Sequence, residues 1–207
     1  MNLSIQRLGV LGGAFDPPHL AHLALAQAAI AQLNLDELRV LPTGQAWHKA
    51  RAPSAAEHRL VMTRLAFADM PKIVVDEREI RREGPTYTVD TLRELHVEHP
   101  GVELFLVLGE DQARAFSTWH EFEAIAQLAI ICVAARAILT NKEATSGTQN
   151  SSSSDPMPNH FRPLKMSNMP VSATLIRARI ADHQDILPLV TEPVARYIAN
   201  HHLFETI

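Results

Sequence analysis

The sequence predicts an α/β fold, a doubly wound parallel sheet, on two observations. Short apolar runs alternate with longer stretches of helical period along most of the chain, and a glycine pair, Gly12 and Gly13, follows the first run and precedes the first of those stretches. Alternation of this kind builds parallel strands joined by crossover helices, and such sheets bind ligands at the carboxyl ends of their strands.

Each element can be justified in turn. Residues 8–11 form the first strand, and the alanine- and leucine-rich stretch 20–33 the first helix. Residues 38–41 read as the second strand. A helix over 54–68 follows, with Ser54 and Glu57 spaced as a capping box. Residues 73–75 make a third, short strand and 89–97 another helix. The run 104–108 has no polar interruption, as expected of a parallel strand covered on both faces. A helix over 121–127 and a strand over 129–134 repeat the theme. Composition then turns polar from Thr140, through four consecutive serines at 151–154, which predicts a mobile loop at 140–159. Order resumes at 161–166, and helices over 172–180 and 193–203 make a C-terminal helical part at 172–207. With 207 residues, no internal repeat and no long linker, a single domain over 1–207 is expected.

Composition narrows the function classes. A formal net charge of −4 argues against a basic groove for a long polyanion, so no nucleic-acid partner is expected. The one cysteine, Cys132, allows no intrachain disulfide. The N-terminus lacks the basic-then-apolar pattern of a signal peptide, and no run approaches the roughly 18 apolar residues that span a bilayer. A cytoplasmic protein without a membrane partner is the expectation; a homo-oligomer is compatible with the sequence.

The chemistry concentrates in the string Gly12, Gly13, Ala14, Phe15, Asp16, Pro17, Pro18, His19, Leu20, Ala21, His22. Glycines let a ligand approach the backbone, the free amides of a helix start favour anions, and the prolines fix the turn into that helix. His19 and His22 are three apart and share a helical face, from which both imidazoles can donate to one polyphosphate. By spacing alone, the same pair also suits a metal or a helix cap.

The full string resembles the GxFDPxHxGH signature of the HIGH-type nucleotidylyltransferase superfamily, whose Rossmann-like fold agrees with the pattern above. Further segments resemble the bacterial nicotinate mononucleotide adenylyltransferases over nearly the whole chain. His48 and Lys49 match their PPHK loop, Thr86, Tyr87 and Thr88 their SYT segment, and Gly109, Glu110 and Asp111 their GxD. Thr118, Trp119 and His120 match TWY or TWH, and the Val-Ser-Ala-Thr-Leu-Ile-Arg run at 171–177 matches ISxTxIR.

The resemblance implies transfer of the adenylyl group of ATP to nicotinate mononucleotide, giving nicotinate adenine dinucleotide and pyrophosphate. Such a transfer needs positioning and charge stabilisation more than a side-chain nucleophile, because the acceptor phosphate is already ionised. His19, His22 and Arg177 are the implied catalytic residues. ATP is assigned to Gly12, Gly13, Ala14, Phe15, His19, His22, Gly109, Asp111, Ser172, Thr174 and Arg177. Nicotinate mononucleotide is assigned to Asp16, His48, Lys49, Thr88, Trp119 and His120.

Physical readings stand beside these roles. Ser172 is placed to cap a helix, and Thr174 and Arg177 can converge on phosphates from its first turns, although Arg177 alone would read as a surface arginine. Asp111 suits a ribose hydroxyl or a capped turn, Trp119 a stacked ring or a core position, and Asp16 loop organisation. Magnesium is expected as the ATP counterion, with no protein ligand assigned.

The chain departs from the pattern at three places. Ala21 replaces the usual glycine, Ala46 and Trp47 replace the usual proline pair, and Ala135 with Arg136 stands where two arginines are common. Alternatives remain open at this point: nicotinamide mononucleotide or phosphopantetheine as acceptor, or a nucleotide sensor that has lost turnover.

Overall fold

The computed structural model of the chain describes residues 5–44, 53–136 and 161–205. The expected loop at 140–159, the pair His48 and Lys49, and the replacements Ala46 and Trp47 all lie outside them. The described residues form a six-stranded sheet with every neighbouring pair parallel. Its strands are β1 (Arg7–Gly13), β2 (Glu37–Pro42), β3 (Ile73–Val75), β4 (Glu103–Leu108), β5 (Ile130–Arg136) and β6 (Phe161–Met166), in the order β3-β2-β1-β4-β5-β6. The helices are α1 (Leu20–Leu33), α2 (Ala56–Phe67), α3 (Arg78–Arg81), α4 (Thr88–Glu98), α5 (Glu110–Arg114), α6 (Phe122–Leu128), α7 (Ala173–Ala181) and α8 (Glu192–Asn200). This is the doubly wound α/β sheet that the alternation predicts.

The two faces of the sheet are covered by separate apolar clusters, and β4 shows why the run 104–108 carries no polar residue. Phe105 and Val107 enter one cluster with α1, α2 and α8, while Leu104, Leu106 and Leu108 enter the other with α4 and α6. Alternate side chains point to opposite faces, so a strand buried on both must be apolar throughout.

Local chemistry sets several boundaries. Asn34 ends α1 in the left-handed region at φ 50°, and its N–H donates to the carbonyl of Ile30. Gln32 on α1 meets β6 with both ends of its amide, donating to Lys165 O at 2.7 Å and accepting from Lys165 N–H at 2.9 Å. The capping box expected at Ser54 and Glu57 does not form. Ala55 is the N-cap of α2, and Ser54 instead gives its N–H to Asp16 and its carbonyl to Arg59. The sequence reading also passes over α3, α5 and a turn of 3-10 helix at Phe116–Thr118, each too short to show a period.

Candidate active site

Strand order reverses at β1, which lies between β2 and β4, so the connections leaving its two sides diverge and open a crevice at its carboxyl end. Two cavities occupy that crevice. The larger, of about 1110 Å³, is bordered by the loop after β1, the start of α1, residues 109–112 and the start of α7. The smaller, of about 260 Å³, is bordered by Thr43, residues 86–88, Trp119 and His120. Gly12, Gly13, Ala14 and Gln112 line both. A Cβ built on Gly12 would meet no atom within 4 Å, so its missing side chain leaves open space where the cavities join.

In the larger cavity His19 is the N-cap of α1 and its ring stacks on that of His22, with centroids 3.7 Å apart and planes 20° from parallel. His22 Nδ1 accepts from the His19 backbone N–H at 3.1 Å, which leaves the ring proton of the neutral form on Nε2. Phe15, held at φ 48°, presents its ring edgewise to His22 at 4.9 Å. Burial lowers the His19 pKa to about 4. Burial, with the neighbouring His19 as a second cause, puts His22 well below its ordinary value. Both imidazoles are therefore neutral near pH 7, donors that a bound polyanion would draw back toward the charged form.

The opposite wall is the N-terminus of α7. Ser172 Oγ accepts from Leu175 N–H at 3.2 Å, the cap its position predicts, and its hydroxyl proton stays available to an acceptor. Arg177 donates to Thr174 Oγ1 at 3.1 Å and to the backbone carbonyl of Asp16 at 2.7 Å, which ties α7 to the loop after β1. Gly109 is the N-cap of α5, where Gln112 Oε1 accepts its N–H at 3.2 Å and Asp111 stands exposed on the cavity wall. All of the residues assigned to ATP line this one cavity.

The acceptor residues are less concentrated. Thr88 is the first residue of α4, Tyr87 is its N-cap without a side-chain cap bond, and both border the smaller cavity. The first-turn amides of α4 accordingly start at that cavity. Trp119 is half-buried against Phe116, with centroids 5.7 Å apart, and His120 is exposed, its ring 4.3 Å from that of Tyr87. Asp16, assigned to the acceptor, is absent from the wall of the smaller cavity that Thr88, Trp119 and His120 border. It lines the larger cavity, is 5% exposed, and takes Ser54 N–H at 3.3 Å, so its carboxylate is held by the scaffold.

A family model described as cytidylyltransferase-like matches residues 10–179. A protein named probable nicotinate-nucleotide adenylyltransferase from Albidiferax ferrireducens is 56% identical over 98% of this chain and the whole of that one. The chain belongs to the nicotinate-nucleotide adenylyltransferase family. A second member so named, from Methylibium petroleiphilum, is 40% identical over 99% of this chain and 95% of its own length. Among solved structures, the nicotinic acid mononucleotide adenylyltransferase of Plasmodium falciparum complexed with NaAD shares the fold. Its TM-score is 0.74 at 19% identity, covering 96% of this chain and 97% of that one. The same Plasmodium enzyme complexed with APC gives a TM-score of 0.70 at 18% identity over the same shares of each chain. The family is thus legible both in the motifs and over the whole chain.

Three features of this family member escape the sequence reading. Thr43 and Gly44 follow β2 directly, and a Cβ on Gly44 would lie 2.1 Å from the backbone carbonyl of Glu79, so only glycine passes there. A Thr-Gly pair at the carboxyl end of a strand was the available signal. Glu79, 6% exposed, accepts from Thr91 Oγ1 at 2.9 Å, and burial pushes its pKa up to about 7. Arg59 is 2% exposed on α2. For these last two, no local pattern distinguishes a buried charge from a solvated one.

Proposed function

We propose that this chain transfers the adenylyl group of ATP to nicotinate mononucleotide, releasing pyrophosphate and forming nicotinate adenine dinucleotide. The observation that carries the reading is the junction of two cavities over Gly12, Gly13 and Ala14, one bordered by paired imidazoles and Arg177, the other by a helix start and an indole. A nucleotide in each would bring an acceptor phosphate and a triphosphate together at that junction.

An acceptor phosphate oxygen attacks the α-phosphorus of ATP, and the bond to the β-phosphate bridging oxygen breaks as pyrophosphate leaves with its electron pair. No proton need be removed from the nucleophile, so the residues act by placement and charge. His22 Nε2–H and His19 donate to nonbridging oxygens as charge builds there, and Arg177 with Ser172 and Thr174 holds the leaving pyrophosphate. Gly109 and Asp111 take the adenosine side. Magnesium would serve as the counterion of ATP, neutralising charge on its phosphates, with no residue of this chain assigned to hold it. The described residues offer no group of three His, Cys, Asp or Glu side chains that would hold it alone. Among the described residues no helix is long and apolar enough to cross a membrane; a cytoplasmic setting goes with the reading.

For the acceptor, Trp119 supplies a face for the pyridine ring, and the first-turn amides at Thr88, with the backbone near His120, receive its carboxylate. His48 and Lys49 are assigned to the acceptor phosphate by resemblance. A helix N-terminus prefers an anion to a neutral amide by up to about 2 kcal/mol in a partly buried setting, which favours the acid over nicotinamide mononucleotide by up to about 30-fold. The test is pyrophosphate release from ATP and magnesium with nicotinate mononucleotide, nicotinamide mononucleotide or phosphopantetheine. The nicotinate compound should give the highest kcat/KM; preference for another acceptor would keep the ATP half and overturn the acceptor half, and no release with any would refute the enzyme.

A further inference from the structure

Arg59 lies on the first turn of α2 and lines neither cavity. It is 2% exposed, yet its partners are backbone carbonyls. Nε donates to Ser54 O at 3.0 Å, Nη1 to Ala14 O at 3.0 Å and Thr43 O at 2.7 Å, and Nη2 to Gly44 O at 3.3 Å. These carbonyls belong to three segments: the loop after β1 that borders both cavities, the residues after β2 that border the smaller one, and the approach to α2 itself. The loops after β1 and β2 are joined directly by one further bond, Thr43 N–H to Gly13 O at 2.9 Å.

We infer that Arg59 is a positioning residue for the adenylyl transfer proposed above, its guanidinium fixing the spacing between the backbone of Ala14 and that of Thr43 and Gly44, and hence between the two bound nucleotides. The inference rests on that functional reading. Arginine is the side chain suited to the task because its planar fork carries five donors and can serve carbonyls from separate segments at once. Lysine offers a single point of donors, and an apolar residue would leave several buried carbonyls unpaired. Asp16 and Glu57 supply the negative charge that accompanies the buried cation. Asp16 is also bonded to Ser54 N–H and, through its carbonyl, to Arg177, so the same connections reach the phosphate side of the site. Gly44 is confined from its other side by the Glu79 carbonyl, so the segment after β2 cannot simply shift to follow a shorter side chain.

The decisive experiment compares Arg59→Lys and Arg59→Met with the wild-type enzyme. Thermal melts report the folded fraction, calorimetry the affinities for ATP, nicotinate mononucleotide and the dinucleotide product separately, and pyrophosphate release the kcat. In folded Arg59→Lys the separate nucleotides should each bind within about threefold of wild type. The dinucleotide, which must satisfy both cavities at one fixed separation, should bind about tenfold or more weakly, and kcat should fall by about 30-fold or more, as small misplacements of reacting groups cost up to about 10²-fold. A purely structural role would instead lower all three affinities and kcat in proportion to the folded fraction, and that result would overturn the inference. Should Arg59→Met fail to fold, the split between single and joined ligands in Arg59→Lys still decides. An active wild type beside a folded Arg59→Lys of unchanged kcat and product affinity would sink the inference alone. A wild type that releases no pyrophosphate would remove the functional reading and the inference with it.

Discussion

The two cavities that meet over Gly12 are built in different ways. The larger is walled mainly by consecutive residues, in the loop and helix start from Gly12 to His22, the helix start at Gly109 to Gln112 and the run from Met166 to Arg177, with amides, imidazoles and a guanidinium among them. The smaller is assembled from many separate places, with Thr43, Thr88, Gln112 and Trp119 on different elements. The contrast follows from what each is proposed to hold. Phosphates are recognised by generic donors, which consecutive residues at a helix start supply. A flat ring with one acidic substituent needs a face, a floor and an anion site in a fixed relation, which only the tertiary fold can bring together.

That contrast can be broken most sharply at His22. His22→Ala should lower kcat by about 10³-fold while leaving the affinity for the acceptor and the melting temperature nearly as they were, because the imidazole is proposed to meet charge that develops in the transition state. Equal loss of acceptor binding would show that the two cavities do not act separately. Gly12→Val should weaken both nucleotides together, each by about 100-fold, since the new side chain enters space common to both. Thermal melts should show little change for that variant; a large destabilisation would place the added atoms against protein. Trp119→Ala should raise KM for the acceptor by about tenfold and leave KM for ATP alone, as loss of ring stacking costs about 1–3 kcal/mol. An equal rise in both constants would deny the indole a face-specific role.

The smallest effect is on stability and sets the two cavities against each other in pH. His19 is held at about 4 in the folded chain, below its ordinary 6.5, so between these values the unfolded chain takes up a proton that the folded chain refuses, and stability rises with pH. Glu79, which lines the smaller cavity, has the opposite sign: burial raises it from 4.5 to about 7, so the folded chain keeps a proton the unfolded one releases, and stability falls as pH rises across that range. Glu79→Gln should remove that fall, giving a steeper rise of melting temperature between about pH 5 and 7 than in wild type. Parallel curves for the two proteins would show that the Glu79 carboxyl titrates normally.

The sequence made some of this legible and hid the rest for physical reasons. The stretch 20–33 matches α1 and the stretch 73–75 matches β3, because in both the apolar pattern is long or cleanly bounded. Every residue assigned to ATP lies on one cavity because each of the three matched segments follows a strand or opens a helix at the carboxyl end of the sheet. Ser54 misleads for a different reason: its capping pattern with Glu57 is real in sequence, but Asp16, 38 residues away, takes its N–H, and Arg59, one turn into the helix, donates to its carbonyl. Arg59 itself sits in a helix that also carries Glu57 and Arg64, and reads as solvated until carbonyls 15 to 45 residues away in sequence are brought over it. Such a group has no local signature because its partners are backbone atoms, identical in every residue.

The bare backbone of Gly12 also dictates the shape of any molecule built to block the enzyme across both cavities. Such a compound has to pass over Gly12, Gly13 and Ala14, the sill shared by a chamber of about 1110 Å³ and one of about 260 Å³, through the space that the missing Gly12 side chain leaves open. Its ends can be varied independently, one for anionic groups and the other for a flat ring. Resistance by substitution at the sill would be self-defeating, because a side chain large enough to exclude the linker also stands in the path of the natural nucleotides.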